Sequence, residues 1–151
     1  MAAEVGSPAP EFTLPATGDA EISLEKYRGQ VVVLVFYPGD DTAVCTKQLN
    51  SYQGDLSSFD GLGAQLLAIS PQSVDSHEKF SCKQGGYGFP LLADEDKAVF
   101  KAYGCIGPLG FPRRSVFVVD GKGIIRYAHR ALAGLTFRSS EELLEAIKSA
   151  G

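Results

Sequence analysis

The chain has 151 residues, 44% of them apolar and 21% charged, with a formal net charge of -4. That length reads as a single domain over residues 1–151, with room for a full core and no need of a disulfide framework. The acidic balance and the lack of a long basic run exclude a general nucleic-acid binder. The longest apolar stretch, Val31–Tyr37, is far too short to span a bilayer.

Met1-Ala2-Ala3-Glu4 has no basic region followed by an apolar one, so no secretory signal is read there. The three cysteines, Cys45, Cys82 and Cys105, form no C-x-x-C pair. Three is an odd number and sparse, against a secreted disulfide scaffold, and the spacing supports neither a zinc ribbon nor a thioredoxin-type dithiol. A reducing compartment, the cytoplasm, with one or two functional thiols is the expectation.

In chain order, Pro8-Ala9-Pro10 leads into a short strand at Phe12-Thr13-Leu14. Thr17-Gly18-Asp19 turns the chain, and Ile22-Ser23-Leu24 returns as a second short strand. Val31–Tyr37 is a β-branched apolar run without alternation, the pattern of a strand buried on both faces. Pro38-Gly39 ends it. Asp40, Asp41 and Thr42 are good helix caps, and Cys45, Leu49, Tyr52, Leu56 and Phe59 then recur at helical spacing as one amphipathic helix. Gly61-Leu62-Gly63 closes that helix. Gln65–Ser70 is a second buried strand, and Ser73 to Gln84 is a helix closed by Gly85-Gly86. Phe89–Ala93 is a strand, and Asp94 caps a helix through about Tyr103. A Gly- and Pro-rich loop spans Gly104–Pro112. Ser115–Val119 and Gly123–Ala128 are strands joined by the hairpin signal Asp120-Gly121-Lys122-Gly123. Ser139-Ser140-Glu141-Glu142 opens a final helix. The alternation predicts an α/β architecture, a central mixed sheet with helices on both faces.

The segment Pro38-Gly39-Asp40-Asp41-Thr42-Ala43-Val44-Cys45 carries the chemistry. It lies at the carboxyl end of a buried strand, where α/β folds place their sites, and it opens a helix. A cysteine in a first helical turn meets unpaired backbone N–H groups and the positive end of the helix dipole. Both favour the nucleophilic thiolate over the thiol. Thr42 can place its hydroxyl beside the sulfur, and Pro38 can shield the sulfur from water. A bland reading stands beside this one. Cys45 is in line with Leu49, Tyr52 and Phe59 and could be a buried core thiol.

Pro38-x-x-x-Thr42-x-x-Cys45 resembles the peroxiredoxin pattern P-x-x-x-[TS]-x-x-C. The preceding Val-Phe-Tyr-Pro, the R-x-x-F-x-x-D of Arg114 to Asp120 and the G-x-x-A-P-x-F of Gly6 to Phe12 are similar to that family too. The resemblance runs from Gly6 to the last helix and is nearest the bacterioferritin-comigratory-protein, or peroxiredoxin Q, branch. It implies a thioredoxin-like fold with an N-terminal β-hairpin extension. It implies a thiol-dependent peroxidase acting on hydrogen peroxide or an alkyl hydroperoxide, recycled by a thioredoxin- or glutaredoxin-type reductant, as a monomer or weak homodimer. Cys45 would be the peroxidatic cysteine. Thr42 would bond the sulfur and a peroxide oxygen, and Arg114 would hold the thiolate ionised. No metal, flavin or haem is called for. Adjacent strand residues point to opposite faces, so only one of Arg113 and Arg114 can aim at Cys45. The R-x-x-F spacing selects Arg114 and leaves Arg113 a solvated surface charge. Gln48 stands where the family often has a glutamate that orients the arginine. It adds no charge, so a less firmly held arginine is expected.

Many members of the branch carry a second cysteine five residues after the first, where this chain has Asn50. That leaves Cys82, Cys105 or a partner's thiol to resolve the oxidised sulfur. Cys82 is the expected choice: Phe80-Ser81-Cys82-Lys83-Gln84-Gly85 resembles a resolving segment of some branch members, and a helix end beside two glycines unwinds at low cost. Cys105 is expected to be a buried structural thiol. His77 is expected on a helix surface, since no G-x-S-x-G elbow accompanies it. The alternatives in other classes are a peroxide-sensing module without sustained turnover and a disulfide oxidoreductase.

Overall fold

The computed structural model describes residues 3–131 and 136–150. Strands β1 (Thr13–Ala16) and β2 (Ala20–Ser23) form an antiparallel hairpin. A 3-10 turn over Leu24–Tyr27, not foreseen from the sequence, leads toward β3 (Val31–Phe36). Then follow α1 (Ala43–Gly54), α2 (Leu56–Gly61), β4 (Ala64–Ser70), α3 (Val74–Lys83), β5 (Leu91–Ala93) and α4 (Ala98–Ala102). A second 3-10 turn at Pro108–Gly110 precedes β6 (Ser115–Val119), β7 (Ile125–Arg130) and α5 (Ser140–Ala150).

All seven strands belong to one sheet, ordered β2-β1-β5-β4-β3-β6-β7. β3, β4 and β5 run parallel, and β6 lies antiparallel to β3 on its other side. The N-terminal hairpin extends the sheet by pairing β1 with β5 at Ala16–Leu92.

The unbroken apolar run of β3 follows from its central place. Val32, Leu34 and Phe36 enter one core with Phe100, Tyr103 and Cys105. Val33, Val35 and Tyr37 enter the other with Cys45, Leu49, Tyr52, Phe59, Leu143 and Ile147. Helices α1, α2, α3 and α5 contribute to the second core and α4 to the first, so helices flank both faces as expected. Phe36 meets Phe100, Tyr103 and Phe117 with ring centroids 5.0, 5.1 and 5.6 Å away. Burying such a ring contributes roughly 1.5–3 kcal/mol.

Several elements differ from expectation; β5, for one, begins at Leu91 rather than Phe89. The single helix read through Cys45 and Phe59 breaks at Asp55, whose φ/ψ of -104°/14° leaves the helical range. Gly54 weakens the turn before it, and the Asp55 carbonyl starts a new one by accepting from Ser58 N at 2.9 Å. The helix after Asp94 is shorter than expected. Asp94 does not sit at its start but reaches across the intervening turn to accept from Val99 N and Phe100 N at 3.2 and 2.9 Å. β7 begins two residues later than expected, because Gly123 belongs to the turn. Its φ is +83°, in the left-handed region that favours glycine.

Candidate active site

β3 ends at Phe36, and Tyr37 N still bonds Ile69 O of β4 at 2.9 Å. Pro38, half-buried, then starts a tight loop. Asp41 takes a left-handed φ of 61°, a conformation that aspartate tolerates better than most residues. Thr42 is the N-cap of α1, with extended φ/ψ, and its carbonyl accepts from Thr46 N at 2.9 Å. Cys45 is therefore the third residue of the helix and 1% exposed. The N–H groups of Ala43, Val44 and Cys45 lie in the first turn, where no intrahelical acceptor exists.

The pairing of β6 with β3 brings the arginine to the sulfur. Phe36 pairs with Ser115, so Arg114 stands level with the loop. Its guanidinium is buried, with Nη2 3.3 Å from Cys45 Sγ and Nη1 donating to Gln48 Oε1 at 2.6 Å. Gln48 Nε2 donates to Tyr52 Oη at 3.2 Å, and Tyr52 Oη donates to the Arg138 carbonyl at 2.6 Å. The expectation of a loosely held arginine is thus corrected, since the uncharged Gln48 makes a short bond to it. Arg113 points elsewhere, although both arginines precede β6 rather than lying in the strand. It is not the solvated charge expected of it, because Nε donates to Ala131 O at 3.1 Å and Nη2 to Arg130 O at 3.3 Å.

The other expected residues are placed differently. The Thr42 hydroxyl donates to Gly39 O at 3.2 Å rather than to the sulfur. Cys82 is exposed near the end of α3 while Cys45 is buried, so the two thiols are not brought together in this state. Cys105 is fully buried in the core on the opposite face of the sheet from Cys45. Its thiol points to Tyr103 O at 3.6 Å, and burial pushes its pKa up.

Sequence reasoning missed one buried polar cluster. His77 is fully buried rather than on a helix surface. Its Nε2 lies 2.9 Å from Leu92 O, and its Nδ1 lies 2.7 Å from Asp40 Oδ2. Asp40 also accepts from Tyr37 Oη at 2.6 Å and from Ser76 Oγ at 2.7 Å, and its N–H donates to Gln72 Oε1 at 2.7 Å. A carbonyl only accepts, so Nε2 carries a proton. A carboxylate facing Nδ1 at 2.7 Å requires a second. Burial pushes the Asp40 carboxyl up, but the bonds from His77, Tyr37 and Ser76 outweigh it and hold the group below the usual carboxylate range. Asp40 and His77 thus form a buried pair at 2.7 Å. The available signal was the i, i+3 spacing of His77 and Phe80 on one face of α3. Asp41 adds an exposed ion pair to Lys83 at 3.0 Å. A cleft of about 390 Å³ lies between this loop and α3, lined by Asp40, Asp41, Ser73, Ser76, Phe80 and Lys83 among others, and it does not reach Cys45.

The Asp40 side chain is 3% exposed. Removing one partner of such a pair strands the other, at a cost of about 3–5 kcal/mol. Asp40→Ala is expected to lose stability on that scale at neutral pH. Because the folded-state pKa is depressed, the carboxylate stabilises the fold above its unfolded pKa and stops doing so as pH falls through the folded one. Urea unfolding of parent and variant from neutral pH downward should show the gap closing below the usual carboxylate range. A gap of the same size in acid would mean that the charge contributes nothing.

The profile of the AhpC/TSA family matches residues 5–128. A Clostridium pasteurianum protein named as a peroxiredoxin of the rubredoxin operon is 37% identical over 159 residues, covering 96% of this chain and 88% of that one. The chloroplast peroxiredoxin Q of Oryza sativa subsp. japonica is 36% identical over 126 residues, covering 82% of this chain and 58% of that one. A solved structure of the Xanthomonas campestris bacterioferritin comigratory protein, titled for its alkyl peroxide reduction activity, superposes with a TM-score of 0.81 at 32% identity, covering 91% of this chain and 90% of that one. The seven-stranded mixed sheet is the thioredoxin-like sheet of that fold. The chain belongs to the AhpC/TSA family of peroxiredoxins, which are thiol-dependent peroxidases.

Proposed function

We propose that residues 1–151 work as one peroxidase domain in which Cys45 is the peroxidatic thiolate and Arg114 its electrostatic partner. The observation that carries this reading is the 3.3 Å approach of Arg114 Nη2 to Cys45 Sγ in the first turn of α1. A buried guanidinium favours the thiolate, and the first-turn amides add the positive end of the helix dipole. The thiolate attacks the terminal oxygen of a hydroperoxide and the O–O bond breaks. Sulfur leaves as sulfenic acid and the other oxygen as an alkoxide or hydroxide, which takes a proton from solvent. Negative charge develops on the departing oxygen, where Arg114, the Thr42 hydroxyl and the amides of Val44 and Cys45 are the available donors. For Thr42 this requires its hydroxyl to turn from Gly39 O. Pro38 would limit water at the sulfur.

Resolution is assigned to Cys82. Its thiolate attacks the Cys45 sulfenic acid sulfur, the S–S bond forms as the S–O bond breaks, and the departing hydroxide takes a proton from solvent to leave as water. A dithiol reductant of thioredoxin or glutaredoxin type then restores both thiols in a reducing compartment such as the cytoplasm. A disulfide needs Cα atoms roughly 4.4–6.8 Å apart, so the buried and exposed thiols must first approach one another. The left-handed Gly85 and Gly86 after α3 make that helix end the part that gives way. The core position of Cys105 across the sheet speaks against it as the resolving group. Hydrogen peroxide and alkyl hydroperoxides are the proposed substrates, and the assembly is a monomer or weak homodimer. Among the described residues no helix is long and apolar enough to cross a membrane.

NADPH consumption with a thioredoxin system and hydrogen peroxide is expected to be sustained in the parent and absent in Cys45→Ser. Arg114→Ala should slow single-turnover oxidation about 100-fold at neutral pH, while Arg113→Ala stays near the parent. Turnover by Cys45→Ser would sink the reading, the reverse ranking of the arginines would reassign the partner, and one stoichiometric event without turnover would mark a peroxide sensor.

The second test concerns the resolving thiol. After one equivalent of peroxide, thiol blocking and digestion without reductant, mass spectrometry should find a Cys45–Cys82 cross-linked peptide from monomeric protein. Sulfenic acid persisting on Cys45, or a link to Cys105 or to another chain, would discard Cys82 and leave the peroxidase intact.

A further inference from the structure

Gln48 has a difficulty that a carboxylate in its place would not have. Its amide carries an acceptor at one end and two donors at the other, in nearly the same shape. Arg114 can only donate, so it is served by the oxygen alone. Turning the oxygen to Arg114 aims the amide nitrogen into the core, where Gln48 is fully buried and water cannot take the proton. An acceptor must be waiting there.

We propose that Tyr52 is a positioning residue for Arg114: its hydroxyl oxygen accepts from Gln48 Nε2 and so fixes the amide with Oε1 toward the guanidinium. This rests on the reading of Cys45 and Arg114 given above. Tyr52 can act this way because its own proton is committed elsewhere. It donates to the Arg138 carbonyl at 2.6 Å, a group that only accepts, which leaves an oxygen lone pair for Gln48 at 3.2 Å. The result is a one-way chain of donors. Arg114 donates to the sulfur and to Gln48, Gln48 donates to Tyr52, and Tyr52 donates to the backbone.

The chain is rigid for three reasons. Cys45, Gln48 and Tyr52 are spaced i, i+3, i+7 on one face of α1, so the helix that carries the nucleophile also carries the support of its arginine. The Tyr52 ring is held edge-on by Phe59 and Phe137, with centroids 6.2 and 6.0 Å away. Burial pushes the Tyr52 hydroxyl up to about 12, so it stays protonated through the working range. In an amphipathic stripe Tyr52 reads as core, and its ring does lie in the core. Only the hydroxyl serves the site.

The inference separates from mere packing by a double-mutant cycle. Tyr52→Phe keeps the ring between Phe59 and Phe137 and removes only the acceptor. Gln48→Met keeps the length of the side chain and removes the amide that Tyr52 would orient. Tyr52→Phe is expected to move the thiolate titration, followed by ultraviolet absorbance, to higher pH and to slow single-turnover oxidation of Cys45 roughly fivefold at neutral pH, the scale of one lost hydrogen bond. The same change made on Gln48→Met should leave both readouts where Gln48→Met alone puts them. An equal effect in both backgrounds, or an unchanged titration and rate in Tyr52→Phe beside a crippled Arg114→Ala, would overturn the assignment of Tyr52 and leave that of Arg114 standing. An unaffected Arg114→Ala would overturn both.

Discussion

Everything at this site depends on one contact, the 3.3 Å approach of the Arg114 guanidinium to the Cys45 sulfur. Both groups are out of water, at 4% and 1% exposure. A buried guanidinium without a partner is costly, and so is a buried thiolate. In the proposed reading the two charges offset one another's burial. The fold serves the contact from both sides. β3 delivers the loop and the first turn of α1, and β6, paired antiparallel to β3, delivers the arginine at the same level. Arg114 immediately precedes β6, so its level relative to the loop follows from the Phe36–Ser115 pairing.

The loop between β3 and α1 is held in turn by α3. Asp40 is the fixed point, bonded to Tyr37 on its own segment and to Ser76 and His77 on the helix. Lys83 on Asp41 is exposed and adds little, as surface pairs do. Asn50 ties α1 to the end of α3 by donating to Gln84 Oε1 at 3.1 Å and accepting from Tyr87 Oη at 2.8 Å. The position where many branch members carry a second thiol thus fastens α1 to the segment that follows Cys82. The strongest links thus lie along the first half of α3. The far end, with Cys82 exposed and left-handed glycines beyond it, is joined mainly through exposed side chains. This gradient leaves the Asp40 side of α3 the more firmly held and its Cys82 end the less so.

What the sequence made legible was whatever local periodicity and punctuation encode. The buried strand, the Pro38-Gly39 stop, the Thr42 cap and the first-turn place of Cys45 all follow from residues adjacent in sequence. The R-x-x-F spacing was enough to separate Arg114 from Arg113. The misses share a physical cause. Asp40 and His77 meet only because β4 and α3 bring Ser73–Phe80 back over the loop, and no local pattern records that return. Tyr52 counts as apolar in a helical stripe, and nothing in its spacing says where its hydroxyl goes. Asp94 looks like a cap in sequence but acts through a turn, because Lys97 takes a left-handed conformation before α4.

The most direct test of the central claim uses the unaltered protein and two measurements on one sample. Thiolate absorbance is titrated with pH, and the single-turnover rate of peroxide reduction is followed over the same range. If the thiolate held by Arg114 is the reacting species, the two curves superimpose, with the rate rising as the thiolate forms and levelling when it is complete. A rate that is flat across the thiolate titration, or that follows a different midpoint, would contradict the account.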